Sequence, residues 1–159
     1  MALISDRVWT AFSEGLGATG LRVAGKWNVP LYRATRGRLG GRVGHAPVLL
    51  LTTTGRKSGQ ERTAPVLYLA DGDRYVVIGS NAGNRNAPAW ALNLEANPAA
   101  AIQVGGRRGR VRARVAEGEE RAALWQRMNE QYSGFDDYAG RTDRDIRLFV
   151  LEPTTAARP

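Results

Sequence analysis

The stretch Leu49-Leu50-Leu51-Thr52-Thr53-Thr54-Gly55-Arg56-Lys57-Ser58-Gly59-Gln60-Glu61-Arg62-Thr63-Ala64-Pro65-Val66-Leu67-Tyr68-Leu69 restricts the fold more than any other part of the chain. Two apolar, β-rich runs flank a short glycine-bounded turn, the pattern of a hairpin. The tip carries two adjacent cations and a hydroxyl, so backbone amides and positive charge converge on one anion-sized spot. This turn is predicted to grip phosphate.

Further strands follow in quick succession. Residues 48–54, 63–70 and 74–80 form a meander, the last pair joined by the strong turn signal Asp71-Gly72-Asp73. Pro65 lacks an amide proton and belongs at an edge or bulge, leaving neighbouring backbone groups free for a flat ligand. Residues 100–104 and 110–116 pair through Gly105-Gly106-Arg107-Arg108-Gly109, with Arg110, Arg112 and Arg114 on a half-solvated face opposite Val111, Ala113 and Val115. Residues 147–151 form the last strand.

Helices fill the gaps. Ser5 caps a helix with Ile4, Val8, Ala11, Phe12 and Leu16 on one stripe. Residues 88–98 open with Pro88 and close with Asn97-Pro98, a short helix. Residues 119–132 form an amphipathic helix with Leu124, Trp125 and Met128 inward, and residues 35–46 read as a loop. Six short, mostly hairpin-connected strands with few helices make an α+β fold: a small antiparallel barrel with capping helices and an N-terminal helical arm. The domain division is 1–46 for the arm and basic loop, 47–153 for the barrel and 154–159 for a frayed tail.

Charge points to an acidic ligand. Between Gly15 and Gln60 there is no Asp or Glu, yet the segment carries Arg22, Lys26, Arg33, Arg36, Arg38, Arg42, Arg56 and Lys57, which account for the whole net charge of +8. Such a field steers an anionic partner toward one face. Composition excludes other chemistry: with no Cys there are no thiolate nucleophiles, disulfides or Cys-ligated metals. His45 is the single histidine, in a Gly-rich run with no second ligand, so no metal site is expected. No Gly-x-Ser-x-Gly elbow is present, which favours chemistry borrowed from a bound cofactor.

At 159 residues and 43% apolar content the chain is one domain with a single core. No apolar run approaches the roughly 20 residues that span a bilayer, and Met1-Ala2-Leu3-Ile4-Ser5-Asp6-Arg7 is not a signal peptide. A cytoplasmic location is expected. Peripheral membrane contact or a homodimer through the N-terminal helix, near Trp9 and Trp27, is the lesser expectation.

Three blocks then fall together: Leu50-Leu51-Thr52-Thr53-Thr54-Gly55-Arg56-Lys57-Ser58-Gly59, Ala87-Pro88-Ala89-Trp90-Ala91-Leu92-Asn93-Leu94-Glu95-Ala96-Asn97-Pro98 and Thr142-Asp143-Arg144. With them the chain resembles the deazaflavin-dependent nitroreductases, a branch of the split β-barrel flavin and deazaflavin oxidoreductases. The resemblance implies coenzyme F420, a deazaflavin with a phosphate and an oligoglutamate tail, used in reduced form as a hydride donor to a quinone, nitro or activated-alkene acceptor. It implies that Arg56, Lys57, Ser58 and Arg62 hold the phosphate and tail. Backbone at Ala64, Pro65, Val66 and Leu67, with Ile78, Gly79, Ser80 and Asn81, would border the deazaflavin, and Ala89, Trp90 and Asn93 would close the pocket.

On the acceptor side the resemblance implies Tyr132, Phe135 and Tyr138, with Ser80, Tyr132 and Tyr138 as catalytic residues that orient the acceptor or relay a proton. Phe135 stands where the family carries a phenol, a loss of one hydrogen bond of about 0.5–1.5 kcal/mol. Asn81-Ala82-Gly83 stands where a cation and a second glycine are usual, and Arg85 is the nearby substitute. Two alternatives remain open here. An FMN-binding split barrel would leave the long basic segment without a purpose. A nucleic-acid-binding barrel would interleave aromatics and cations along its strands, whereas Tyr68 and Tyr75 are isolated, so no nucleic-acid partner is expected.

Overall fold

The computed structural model describes residues 29–43, 46–79, 86–131 and 145–154. Its strands are β1 (Arg42–Val43), β2 (Ala46–Thr54), β3 (Glu61–Leu67), β4 (Leu69–Asp71), β5 (Arg74–Ile78), β6 (Ala99–Val104), β7 (Arg107–Val115) and β8 (Leu148–Pro153). The helices among the described residues are α1 (residues 29–35), α2 (Ala89–Ala96) and α3 (Gly118–Gln131). The expected helix over residues 4–16 lies outside the described residues, as do Trp9, Trp27 and His45.

Every pairing is antiparallel, and the strands run β1-β2-β6-β7-β8-β5-β4 with β3 on β2. Strands β3 and β4 are separated by Tyr68 alone, so they form one bent strand whose first part pairs with β2 and whose second part pairs with β5. The bend joins the two ends of the sheet and curls it into a split barrel. Counting β3 and β4 as one, the barrel has the six strands expected, and β1 is a two-residue addition.

Strand alternation sends odd and even residues to opposite faces. Leu49, Leu51, Val77, Val111, Phe149 and Leu151 fill the interior together with Ala91 and Leu94 from α2. Their neighbours Val76, Ile78, Leu148 and Val150 point outward and are covered by Leu124 and Met128 of α3. Val48 and Leu50 are likewise covered by Tyr32 of α1. Leu49-Leu50-Leu51 and Val76-Val77-Ile78 are continuously apolar because both faces of those strands are buried.

Helix α3 is clamped to the outer face by charge. Arg114 pairs with Glu120 and Glu152, and Asp71 pairs with Arg74 and with Arg127 of α3. Gln131 at the end of α3 donates to the Tyr68 carbonyl at 2.7 Å, which fixes the bend between β3 and β4.

Several local expectations shift. The 35–46 loop holds a turn and β1, because the edge of β2 is open to it. The β6–β7 hairpin turns at Gly105-Gly106, and Arg107 and Arg108 join the strand. The last strand continues through Pro153, paired with Val111, and the Thr154 amide still donates to the Arg110 carbonyl at 3.1 Å. Residues 155–159 of the expected tail lie outside the described residues.

Candidate active site

The 55–59 turn is built by its own backbone. The Gly55 amide donates to the Gln60 carbonyl at 2.7 Å and the Gly59 amide to the Gly55 carbonyl at 2.8 Å. Gly59 has φ +69, a left-handed conformation that glycine adopts without steric cost. Ser58 Oγ accepts the Gln60 amide at 3.2 Å. Arg56, Lys57 and Ser58 are exposed, and the amides of Lys57 and Ser58 have no hydrogen-bond partner among the described residues. Free amides beside two cations form an anion cradle.

The turn is anchored from below by α2. Asn93 Oδ1 accepts the Arg56 amide at 3.1 Å and Arg56 Nη1 at 3.4 Å, while its Nδ2 donates to Thr53 Oγ1 at 3.0 Å. Asn93 is 3% exposed, and its amide is a buried brace for the turn. Thr53, 1% exposed, shares that brace and was missed in the sequence; its odd-numbered place beside Leu49 and Leu51 was the signal available.

Next to the turn runs an open edge. The Tyr68 amide donates to the Pro47 carbonyl at 3.1 Å, and these two residues continue the β2–β3 register. Alternation then directs the main chain of Ala64 and Val66 toward β2, and that of Thr63, Pro65 and Leu67 away from it. Beyond β3 no strand among the described residues pairs with that side. Pro65 thus sits on an edge, as expected, with its missing donor facing the unpaired side. The side chains of Ala64 and Val66 pack into the core, so what this edge offers a ligand is main chain.

Helix α2 closes the same end of the barrel. Trp90 is half-buried with its ring edge-on to Phe149 at 5.9 Å, and Ala89 at the helix start is exposed. Gly79 continues from β5 and fits tightly under α2: a Cβ there would lie 3.2 Å from that of Ala91. Ile78 turns its side chain into the α3 cluster, which leaves only its backbone for the site. A cavity of about 260 Å³ runs beside α2, lined by Gly79, Ala87, Ala91, Leu92, Glu95 and Arg147. The Arg147–Glu95 pair, N···O 3.0 Å, spans it.

The structure thus places Arg56, Lys57 and Ser58 in the turn with Arg62 opposite Thr53 beside it, Ala64 to Leu67 along the edge, Ala89 and Trp90 on α2, and Gly79 beneath that helix. Ser80, Asn81, Arg85, Tyr132, Phe135 and Tyr138, with the Thr142-Asp143-Arg144 block, lie outside the described residues. Arg22 and Lys26 lie outside the described residues, and the described part of the basic segment is not one field. Arg42 pairs with Pro47 at the start of β2 and Arg36 packs on Gly106, while Arg56 and Lys57 follow its other end, about 27 Å away at strand rise. Arg33 reaches β3, donating to Thr63 Oγ1 at 3.3 Å.

The sequence pattern of the F420H(2)-dependent quinone reductases matches residues 25–153. The chain belongs to this family. An F420H(2)-dependent quinone reductase of Mycobacterium tuberculosis (strain H37Rv) is 42% identical over 125 residues, 76% of this chain and 84% of the relative. Among solved structures, an F420-H2 dependent reductase (FDR-A) is 36% identical with a TM-score of 0.62, covering 67% of this chain and 94% of that one. A second, described as a domain-swapped dimer, is 32% identical with a TM-score of 0.64, covering 80% of this chain and 95% of that one. The family's chemistry is F420H2-dependent oxidoreduction, and its cofactor is coenzyme F420. The described residues are of a kind that fits that cofactor: amides and cations suited to a phosphate, and a strand edge, unpaired among the described residues, suited to a flat polar ring.

Proposed function

We propose that this chain carries reduced F420 with its phosphate in the 55–59 turn and its ring along the open edge of β3, and passes a hydride to a quinone. The observation that supports this reading most is the adjacency of a braced, amide-rich basic turn to a strand edge with no pairing partner among the described residues. Lys57 and Arg62 supply charge to the phosphate and tail, Ser58 and Lys57 supply amides, and Arg56 contributes what its bond to Asn93 leaves free. The main chain of Thr63, Pro65 and Leu67 lines the ring, with Ile78 backbone, Gly79, Ala89 and Trp90 around it.

F420, when bound, supplies the two-electron donor carbon. The chain supplies proximity and exclusion of water, since Trp90 and α2 roof the barrel end beside the edge. By resemblance, Ser80 and Asn81 continue the ring wall. Tyr132, Phe135 and Tyr138 orient the acceptor, and Ser80, Tyr132 or Tyr138 delivers a proton through water. Titration with oxidised and reduced F420 beside FMN, read by absorbance and tryptophan fluorescence, tests the reading. F420 binding with F420H2-driven quinone reduction is expected; tight FMN binding without response to F420 overturns it.

Two finer proposals accompany it. Leu31 and Leu39, 46% and 39% exposed, lie among Arg33, Arg36, Arg38 and Arg42, a composition suited to an anionic membrane surface. Co-sedimentation with anionic but not neutral vesicles is expected, and no binding to anionic vesicles, or equal binding to both, rejects the idea. No helix among the described residues is long and apolar enough to cross a membrane. A homodimer is proposed with support from the domain-swapped relative; a monomer mass by light scattering at high protein concentration excludes it.

A further inference from the structure

We propose that Asn93 is a positioning residue that sets the shape of the phosphate turn and its distance from the ring slot, without itself touching the cofactor. The proposal rests on the reading of the 55–59 turn as the anion site. All of the polar capacity of Asn93 that the structure accounts for points into the protein: Oδ1 takes the amide and guanidinium of Arg56, and Nδ2 gives to Thr53 Oγ1. Its position between Ala91 and Leu94, both buried in the core, would suit an apolar residue. A buried amide there costs desolvation unless its bonds are made, and these bonds reach across 37 and 40 residues to one end of one hairpin.

The consequence is a division of labour in the turn. With the Arg56 amide drawn onto Asn93 and one lone pair of Ser58 Oγ taken by the Gln60 amide, the groups the turn leaves for an anion are the Lys57 and Ser58 amides, the Ser58 hydroxyl proton, the Lys57 ammonium and the Arg56 guanidinium donors that do not face Asn93. Arg56 becomes partly a structural cation. The same helix carries Trp90 on Phe149 and Ala91 against Gly79, so α2 holds the turn and the end of β5 on one rigid element. Asn93 is the hydrogen-bonded link between that element and the turn.

Three variants test this: Asn93→Ala, Thr53→Val and Thr53→Ser. Asn93→Ala is expected to raise the F420 dissociation constant about tenfold, the size of a lost buried hydrogen-bond set, with kcat at saturating F420H2 within about twofold. Thr53→Val, close in shape, should move affinity the same way by less, and Thr53→Ser should restore it. In the cofactor-free protein, hydrogen exchange of the Arg56 amide should quicken at least about tenfold in Asn93→Ala, a change that a residue contacting only the cofactor would not cause. Wild-type affinity and exchange in both Asn93→Ala and Thr53→Val overturn the proposal, as does a loss confined to kcat. If Asn93→Ala does not fold, the two Thr53 variants decide alone. A wild-type protein that binds no F420 refutes the functional reading instead, while the exchange measurement still judges the brace.

Discussion

The Tyr32 hydroxyl accepts the Gly105 amide at 2.9 Å, across 73 residues of sequence. The same hydroxyl donates to the Val48 carbonyl at 3.0 Å, so one buried phenol fastens α1 to β2 and to the β6–β7 hairpin. Burial also pushes its pKa above the ordinary tyrosine value, in keeping with a neutral donor. Tyr32→Phe leaves the Gly105 amide unpaired and should cost about 1–3 kcal/mol in urea unfolding. F420 affinity should stay at the wild-type level, because the contact lies at the far end of β2.

Lys57→Ala and Arg56→Ala should both weaken F420 binding, but differently. Lys57 is exposed with no ion pair among the described residues, so its loss should flatten the salt dependence of affinity. Arg56 shares its guanidinium with Asn93, so its loss should change the salt dependence less. Titration at low and high salt measures both, and wild-type affinity of either variant at low salt refutes its role.

Pro65→Ala should leave the ladder intact, since Pro65 nitrogen faces the unpaired side of β3. The stability change should stay within about 1 kcal/mol, mostly through the freer unfolded chain. A larger loss by denaturant titration would mean that the edge assignment is wrong.

Gly79→Val should injure stability and cofactor binding together. The added Cβ would already lie 3.2 Å from that of Ala91, and two methyls beyond it require α2 to move outward. Overpacking of this kind costs about 1–3 kcal/mol. A variant as stable as wild type would show that the helix has room.

Acid should loosen α3. The hydrogen bonds of Arg127 and then Arg74 hold the Asp71 carboxyl below its ordinary value, and Arg114 does the same for Glu120. Their contribution is complete above the ordinary carboxylate range, near about pH 4, and disappears as pH falls through the lowered folded-state values. Melting temperature should therefore drop steeply below about pH 4. Asp71→Asn should lower it at neutral pH and make the acid limb shallower; an unchanged limb excludes Asp71 as a contributor.

The chain itself announces its hairpins, the 55–59 turn, the Arg110-Arg112-Arg114 face and the edge place of Pro65, because alternation and turn chemistry are properties of a few consecutive residues. It also carries the three blocks that mark its family. Tertiary structure decided the rest. Nothing local to Asn93 shows its bonds, and only the docking of α2 beneath β2 brings its amide to Arg56 and Thr53. Tyr32 gives no local signal, and its value lies in partners 16 and 73 residues away. The acid-free segment is continuous in sequence yet divided by the length of β2, since a strand carries the chain from one end of the barrel to the other. Local pattern selects the elements; register and packing select which distant groups meet.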